Sequence, residues 1–293
     1  MKNRLFFIPA LAVTLTLLIV GTFLDFNISS SIVQLDNGFS HFMAAFTVVP
    51  VGVTLGFMLG TLFKMVINKQ YKKVWQNIIL CVISFGVLIG GSYFLGDHVT
   101  SYHAYNITNL KPLFNILFGL VMMVPGYLLG YFFLEKINNK HLFRTYLIIV
   151  ITILFMVALI EVIKICFPRL RYTSVVVLGK DYYRAWYNTD FSLNKEFVEK
   201  WSLVNSEEIK SFPSGHSNMG ISAAFIMMFI PKLVKKVEGK EVYFFYGGFL
   251  FFLLVAFARI FIGAHYLSDT MFAGTLALLV YFISNEIYLR KLV

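Results

Sequence analysis

The sequence predicts an all-α membrane protein, a polytopic transmembrane helical bundle of about eight transmembrane helices. Of its 293 residues, 58% are hydrophobic and only 14% are charged, whereas soluble domains carry about 25% charged residues. The apolar residues lie in long blocks and not in the short alternating runs of a membrane β-barrel. This composition excludes an ordinary soluble domain.

Eight apolar blocks are each interpreted as one transmembrane helix, because most approach the roughly 20 residues that a helix needs to cross the hydrocarbon core. The first follows Lys2 and Arg4 but has no small-x-small cleavage pattern, which favours a retained helix over a signal peptide. The sixth is short unless it extends to Val234. The blocks are residues 5–24, 42–63, 74–95, 113–134, 146–166, 216–230, 242–262 and 267–289.

Basic residues are concentrated in alternate gaps between these blocks. By the positive-inside rule, that side is cytoplasmic and holds both termini, and the segment after Cys166 and the turn near His265 lie together outside. The net charge of +10 is therefore explained by the basic residues of the cytoplasmic gaps, and no nucleic-acid binding is expected. The cytoplasmic basic residues are Lys2, Arg4, Lys64, Lys69, Lys72, Lys73, Lys136, Lys140, Arg144, Lys232, Lys235, Lys236, Lys240, Arg290 and Lys291.

We expect one compact membrane domain, with N-terminal transmembrane helices in residues 1–140 and a catalytic core in residues 141–293. The core includes an outer loop, residues 167–212, and connections of more than about 15 residues are usually functional. Aromatic residues in this loop are typical of a cap near the lipid interface, although an ordinary interfacial loop has the same composition. They are Tyr182, Tyr183, Trp186, Tyr187 and Trp201.

Three clusters on the predicted outer side hold groups that phosphoryl chemistry needs. Each has an ordinary explanation by itself: basic residues at a helix end often snorkel, His216 can cap a helix, and Asp269 can be an N-terminal helix charge. Arg259 is harder to explain, because an unpaired guanidinium in an apolar stretch is costly. The clusters are Lys164, Arg169 and Arg171; residues 213–217; and Arg259, His265 and Asp269.

The spacing of these residues predicts two histidines with opposite roles. His265 and Asp269 are four residues apart and share one face if the backbone is helical. A carboxylate that binds one ring nitrogen leaves the other unprotonated, so His265 is a candidate nucleophile. Ser214 and Gly215 precede a helix whose N-terminus favours phosphate oxygens. His216, in its first turn, is a candidate general acid.

Basic side chains supply the remaining charge, because phosphoryl transfer mainly requires positioning and neutralisation of the phosphate oxygens. Lys164, Arg171 and Arg259 are the candidates for this role. Lys164 ends an apolar block, and Glu161 is its nearest possible partner.

With these residues the sequence resembles the phosphatidic acid phosphatase type 2 and haloperoxidase superfamily. The family pattern is K-x6-R-P, then P-S-G-H, then S-R-x5-H-x3-D. Tyr172 replaces the family's proline and Ala258 replaces its serine, and neither change removes a charged or titrating group. The matching segments are Lys164-x6-Arg171, Pro213-Ser214-Gly215-His216 and Arg259-x5-His265-x3-Asp269.

The resemblance covers roughly residues 157–283 as a core of helices, and it implies a six-helix type of phosphatase and metal-independent hydrolysis without a cofactor. It also implies the role of each site residue: Lys164, Arg171, Ser214, Gly215 and Arg259 bind phosphate, His265 attacks phosphorus, His216 protonates the leaving group and Asp269 supports His265.

We expect a lipid phosphate or lipid diphosphate as the substrate, hydrolysed at the outer side of the plasma membrane. Three alternatives stay open. Relatives with the same residues act on a soluble sugar phosphate, others transfer the phosphoryl group to a second lipid, and a transporter or scaffold can retain a phosphate-shaped site without catalysis.

Overall fold

The computed structural model describes residues 5–68, 74–103, 110–133, 142–188 and 206–290. Within these ranges the chain is helical and forms no β-strand, so the predicted all-α class is confirmed. The helices are α1 (Phe7–Ile32), α2 (Gly38–Phe46), α3 (Val49–Ile67), α4 (Val74–His103), α5 (Lys111–Phe133), α6 (Leu142–Cys166), α7 (Tyr172–Leu178), α8 (Gly215–Met227), α9 (Ile230–Leu233), α10 (Glu241–Phe261) and α11 (Leu267–Arg290).

Seven helical segments among the described residues are long and apolar enough to cross a membrane: α1, α2 with α3, α4, α5, α6, α10 and α11. Their outward faces carry exposed apolar side chains, such as Phe23, Val82 and Ile165. Large contiguous apolar surfaces of this kind are rare on proteins surrounded by water. The chain is a multi-pass membrane protein.

The predicted count of about eight spans is close to this, and the difference lies at the sixth block. There α8 ends at Met227 after 13 residues. The next helix, α9, starts at Ile230 and has Pro231 in its first turn. Proline has no N–H and its ring clashes with the carbonyl four residues earlier, here that of Met227, which favours the end of α8 at this residue.

The first helix is longer than predicted. The sequence placed its end at residue 24 and Asp25 in the following gap, whereas α1 continues to Ile32. Asp25 is therefore inside a helix and is almost completely buried. Its carboxylate forms an ion pair with Arg169, which explains how an acidic residue is tolerated there.

The chain forms two compact units. The first contains Met1–Ala44, Ile148–Phe225 and Val242–Val293, and the second contains Ala45–Leu147 and Ile226–Glu241. All the predicted site residues lie in the first unit, together with α1. The predicted division into residues 1–140 and 141–293 stays a prediction.

Close helix packing in the first unit depends on small residues. A Cβ atom on Gly21 would lie 2.7 Å from the backbone nitrogen of Ser268, so α1 touches the start of α11 at this point. This contact brings the C-terminal half of α1, with Asp25 one turn further on, against the start of α11.

Glycines also line the contact between α3 and α5 in the second unit. A Cβ atom on Gly56 or Gly60 would overlap the backbone carbonyl of Met123 or Tyr127. Small residues allow the backbones of two membrane helices to touch in this way.

Candidate active site

Backbone hydrogen bonds bring the three predicted clusters together. Ser211 N donates to the Arg169 carbonyl at 3.0 Å, and Arg171 N donates to the Glu208 carbonyl at 2.9 Å. The two ends of the segment 167–212 are therefore paired side by side. Ser214 N donates to the Asp269 carbonyl at 3.1 Å, which ties the second cluster to the third.

A tight turn between α10 and α11 places His265. Gly263 has a φ of 70°, a left-handed conformation that glycine adopts without strain. After this turn, the Arg259 carbonyl accepts hydrogen bonds from Ala264 N at 3.2 Å and from His265 N at 3.3 Å. The backbone of His265 is thus fixed beside the end of α10, close to Arg259.

The His265 ring is held by a backbone carbonyl. Its Nδ1 lies 2.7 Å from the Ser211 oxygen. Because a carbonyl only accepts, Nδ1 must carry the hydrogen, and Nε2 is then unprotonated and nucleophilic. The sequence predicted Asp269 as the ring's partner, but its Oδ2 lies 3.9 Å from Nδ1, beyond hydrogen-bond distance. The Ser211 carbonyl takes that place.

The surroundings of His265 keep it neutral. Its pKa is well below its usual range, first because the ring is buried and then because of the positive charges on Arg259 and Arg171. The hydrogen bond to Ser211 opposes this lowering, and Lys164 adds to it. Three cations from two separate segments of the chain therefore act on this one imidazole.

Lys164 lies against the start of α8. Its Nζ is 3.0 Å from the position that a Cβ atom on Gly215 would occupy. A larger residue at position 215 would thus displace the lysine. The same Nζ is 2.6 Å from Glu161 Oε1, which confirms the predicted partner.

The N-terminus of α8 has the form that the sequence predicted. The helix begins at Gly215, and Ser214 precedes it as the capping residue. Ser214 Oγ accepts a hydrogen bond from Ser217 N at 3.2 Å, which satisfies one of the otherwise unbonded N–H groups of the first turn. His216 is the second residue of this helix, so it starts beside the positive end of the helix dipole.

Asp269 supports His265 indirectly. It is completely buried. Its Oδ1 accepts from Arg169 Nη1 at 2.5 Å, and its Oδ2 accepts from Ser211 Oγ at 2.5 Å and from Tyr266 N at 2.9 Å. Asp269 therefore holds the residue whose carbonyl holds the His265 ring.

Arg169 has a different position from the one that the sequence implied. The sequence grouped it with Lys164 and Arg171, but its side chain is 3% exposed and forms ion pairs with Asp25 at 2.9 Å and with Asp269. Burial disfavours its charge, yet the two carboxylates hold its pKa above the usual range. Sequence reasoning missed Asp25 as its partner. The available signal was an acidic residue directly after an apolar block.

Arg171, in contrast, faces a cavity. Its side chain is 18% exposed, and its Nη2 lies 3.6 Å from Glu207 Oε2. The cavity has a volume of about 570 Å³, and its other polar lining residues are His41, Thr173, Ser174 and Glu208. Its apolar lining residues are Leu35, Val177, Leu178, Ile262 and Ala264.

The described residues contain no group of three or more His, Cys, Asp or Glu side chains placed to hold a metal ion. The cationic side chains that act on His265, together with the start of α8, are the candidate groups for binding an anion.

A family model described as the PAP2 superfamily matches residues 143–291, slightly more than half of the chain. This segment contains every predicted site residue, whereas Asp25 lies before it. No curated protein and no solved structure matches the chain.

Proposed function

The chain belongs to the PAP2 superfamily, and on that premise we propose that it is a membrane phosphatase that hydrolyses a lipid phosphomonoester or diphosphate through a phosphohistidine intermediate. The superfamily is one of phosphatases, which supports a phosphoric ester hydrolase. One observation supports the mechanism most: His265 is a neutral imidazole with a fixed tautomer, and three cations act on it.

In the first step, Nε2 of His265 attacks phosphorus. A nitrogen–phosphorus bond forms, and the bond from phosphorus to the lipid oxygen breaks. His216 donates a proton to the departing oxygen. Lys164, Arg171 and Arg259 neutralise the charge on the other phosphate oxygens.

In the second step, water attacks the phosphohistidine. His216, now neutral, accepts a proton from the water, the nitrogen–phosphorus bond breaks and inorganic phosphate leaves. Atoms and charges balance with water as the only co-reactant, and we propose that the reaction needs no metal ion or cofactor.

A lipid substrate is supported by the surroundings of the site. Five of the ten residues that line the cavity beside Arg171 are apolar. The adjacent helix α7 exposes Val176 and Val177, so the site has apolar surface next to its cationic groups. A cationic site with apolar walls fits a phosphorylated head and a hydrocarbon tail.

We further propose that the site faces the outer side of the plasma membrane. The support is the concentration of lysine and arginine in the alternate gaps, which the positive-inside rule assigns to the cytoplasm together with both termini. This parity requires an even number of crossings, so the proposal takes α8 with α9 as the eighth, beside the seven long apolar segments. Several of those basic residues, such as Lys69 and Lys136, lie outside the described residues.

The test is phosphate release by the purified protein in a chelator. We expect release from phosphatidic acid, phosphatidylglycerol phosphate or a polyprenyl diphosphate to exceed release from glucose 6-phosphate. His265→Ala should abolish turnover, and His216→Ala should slow it by about 10² to 10⁴, most for poor leaving groups.

Four results would point elsewhere. Faster release from the sugar phosphate would indicate a soluble substrate. Transfer to a second lipid would indicate a phosphotransferase. Binding of inorganic phosphate without turnover of any ester would indicate a transporter or scaffold. Full activity in His265→Ala would contradict the assigned nucleophile.

A further inference from the structure

We propose that Asp25, on the first transmembrane helix, is a positioning residue of the active site. It would act through Arg169, Asp269 and Ser211 to fix the ring of His265. This inference rests on the proposed function for its kinetic consequence but on the hydrogen-bond geometry for its structural one.

Both carboxylate oxygens of Asp25 are used. Oδ1 accepts from Ser268 N at 2.9 Å. Oδ2 accepts from Arg169 Nη2 at 2.9 Å and also from Ser268 Oγ. Asp25 is 1% exposed, so these contacts are made out of contact with solvent. A buried carboxylate with this many donors fixes the groups around it.

Arg169 is held just as completely. A guanidinium has five N–H donors in a planar fork, and the structure provides five acceptors around it. The guanidinium also lies 4.0 Å from the centroid of the Tyr266 ring. Its orientation is therefore fixed, and no N–H remains for a phosphate. The acceptors are the Arg184 carbonyl and Asp25 Oδ2 at 2.9 Å, Ser268 Oγ at 2.9 Å, Asp269 Oδ1 at 2.5 Å and the Tyr183 hydroxyl at 3.4 Å.

From Arg169 the contacts continue to the ring of His265. Asp269 binds Arg169 with one oxygen and Ser211 Oγ with the other. Ser211 N donates to the carbonyl of Arg169 at 3.0 Å. Ser211 is thus held through its side chain and its N–H, and its carbonyl is the acceptor for His265 Nδ1. A displacement of Arg169 would move that acceptor.

Asp25 is needed to keep Arg169 in position, because the guanidinium lies between two buried carboxylates, those of Asp25 and Asp269. Without the charge of Asp25, the Arg169 guanidinium would have Asp269 as its sole ionic partner in this cluster. The guanidinium would then be free to move toward Asp269. Breaking a buried ion pair in this way is costly and rearranges the groups that remain. Asp25 also lies outside residues 143–291, so the family match does not include it.

The kinetic test is Asp25→Asn, which keeps the size of the side chain but turns one oxygen into a donor that faces Arg169. We expect kcat to fall by about tenfold to a hundredfold because the nucleophile is misplaced. KM should change by less than about threefold, because the phosphate-binding cations and the start of α8 are not altered. Thr14→Val, a buried substitution on the same helix, is the matched control and should leave kcat unchanged.

The structural test does not depend on turnover. In protein with ¹⁵N-labelled histidine, the His265 signal is identified by its loss in His265→Ala. The wild type should show a single neutral tautomer with the hydrogen on Nδ1, and Asp25→Asn should lose that single tautomer. If the wild type turns over no phosphate ester, the proposed function fails, but this spectrum still decides whether Asp25 positions the ring.

Ser268→Ala is the second variant, in case Asp25→Asn does not fold. It removes a hydroxyl that contacts both Asp25 and Arg169, and it should lower kcat in the same direction but less. Two results would overturn the inference: an unchanged tautomer and kcat in Asp25→Asn, or, if that variant does not fold, an unchanged kcat in Ser268→Ala.

Discussion

At the scale of single residues, Arg169 and Arg171 show how far the sequence can assign roles. Both follow the same helix and both are basic, so the sequence placed them in one cluster with Lys164. The structure separates them because the partner of Arg169, Asp25, is 144 residues away in the chain. The acceptor for His265 was equally hidden, since a backbone carbonyl leaves no trace in the pattern of side chains. The sequence motifs did include Arg259, Arg171 and Lys164, whose charges act on His265.

The two arginines should respond differently to substitution. Arg169→Gln leaves the buried carboxylates of Asp25 and Asp269 without their counter-charge, which should lower the free energy of unfolding by about 3 to 5 kcal/mol. Arg171→Gln should lower it by about 1 kcal/mol or less, because its ion pair with Glu207 is long and partly exposed. Thermal unfolding in detergent measures both. Equal losses in the two variants would contradict the separation of roles.

The charges around His265 predict a dependence on pH. The pKa of an ordinary histidine is about 6.5, and the pKa of His265 is lower. The ring therefore stays neutral at a pH somewhat below about 6.5, and the wild type should stay active there. Arg171→Gln removes a charge that lowers this pKa, so the pKa should rise and the acidic limb of kcat/KM should move to higher pH.

The pH profiles of kcat/KM are measured for the wild type and for Arg171→Gln with the same substrate, so that titration of the substrate affects both profiles equally. Lys180→Gln removes an exposed charge just after α7 and is the control. The acidic limb of its pH profile is expected at the wild-type position. A limb that stays in place in Arg171→Gln would show that this arginine does not act on His265.

At the scale of helices, the sequence predicted where most spans lie but not how they end or what they touch. Apolar blocks identify a membrane helix, yet the end of α1 depended on an ion pair that neutralises Asp25 and the end of α8 on a proline. Partners are harder still to predict. Gly56 and Gly60 have the spacing of a helix contact, but the sequence does not say that α5 supplies the opposite glycines, Gly126 and Gly130.

The contact between α3 and α5 can be tested with one methyl group. A Cβ atom on Gly126 would overlap the backbone carbonyl of Val53, whereas one on Gly90 of α4 would meet nothing within 4 Å. Gly126→Ala should therefore force the helices apart and lower the free energy of unfolding by about 1 to 3 kcal/mol, the usual cost of overpacking. Gly90→Ala is the matched control and should unfold at the wild-type temperature or above, which thermal unfolding in detergent would show.

At the scale of the whole molecule, the unit that holds the site is assembled from distant parts of the chain. It combines α1 with residues that lie within the family match, 143–291. The motifs predicted the site from the later part alone, and the signal within α1 was limited to one acidic residue, Asp25, at the end of an apolar block. A helix joins such a site through long-range contacts, and these are not encoded in local composition or periodicity.

The proposed orientation can be tested on intact cells. In a protein with Cys81 and Cys166 replaced, a cysteine at Val177 should react with a membrane-impermeant maleimide added outside, because this residue of α7 is 83% exposed. A cysteine at Lys236, in a predicted cytoplasmic gap, should react after the membrane is permeabilised. Labelling in the reverse order would place the site on the cytoplasmic side.

The acceptor of His265 belongs to the main chain, and this limits how the site can change over generations. Every amino acid carries the same carbonyl, so no single codon change at position 211 can delete the group that selects the imidazole tautomer. Mutations can alter the orientation of the His265 ring chiefly by changing the side chains that hold the backbone of Ser211 in place. In directed evolution, substitutions that change the turnover rate should therefore be sought at Asp25, Ser268 and Asp269 and not at position 211 for its carbonyl.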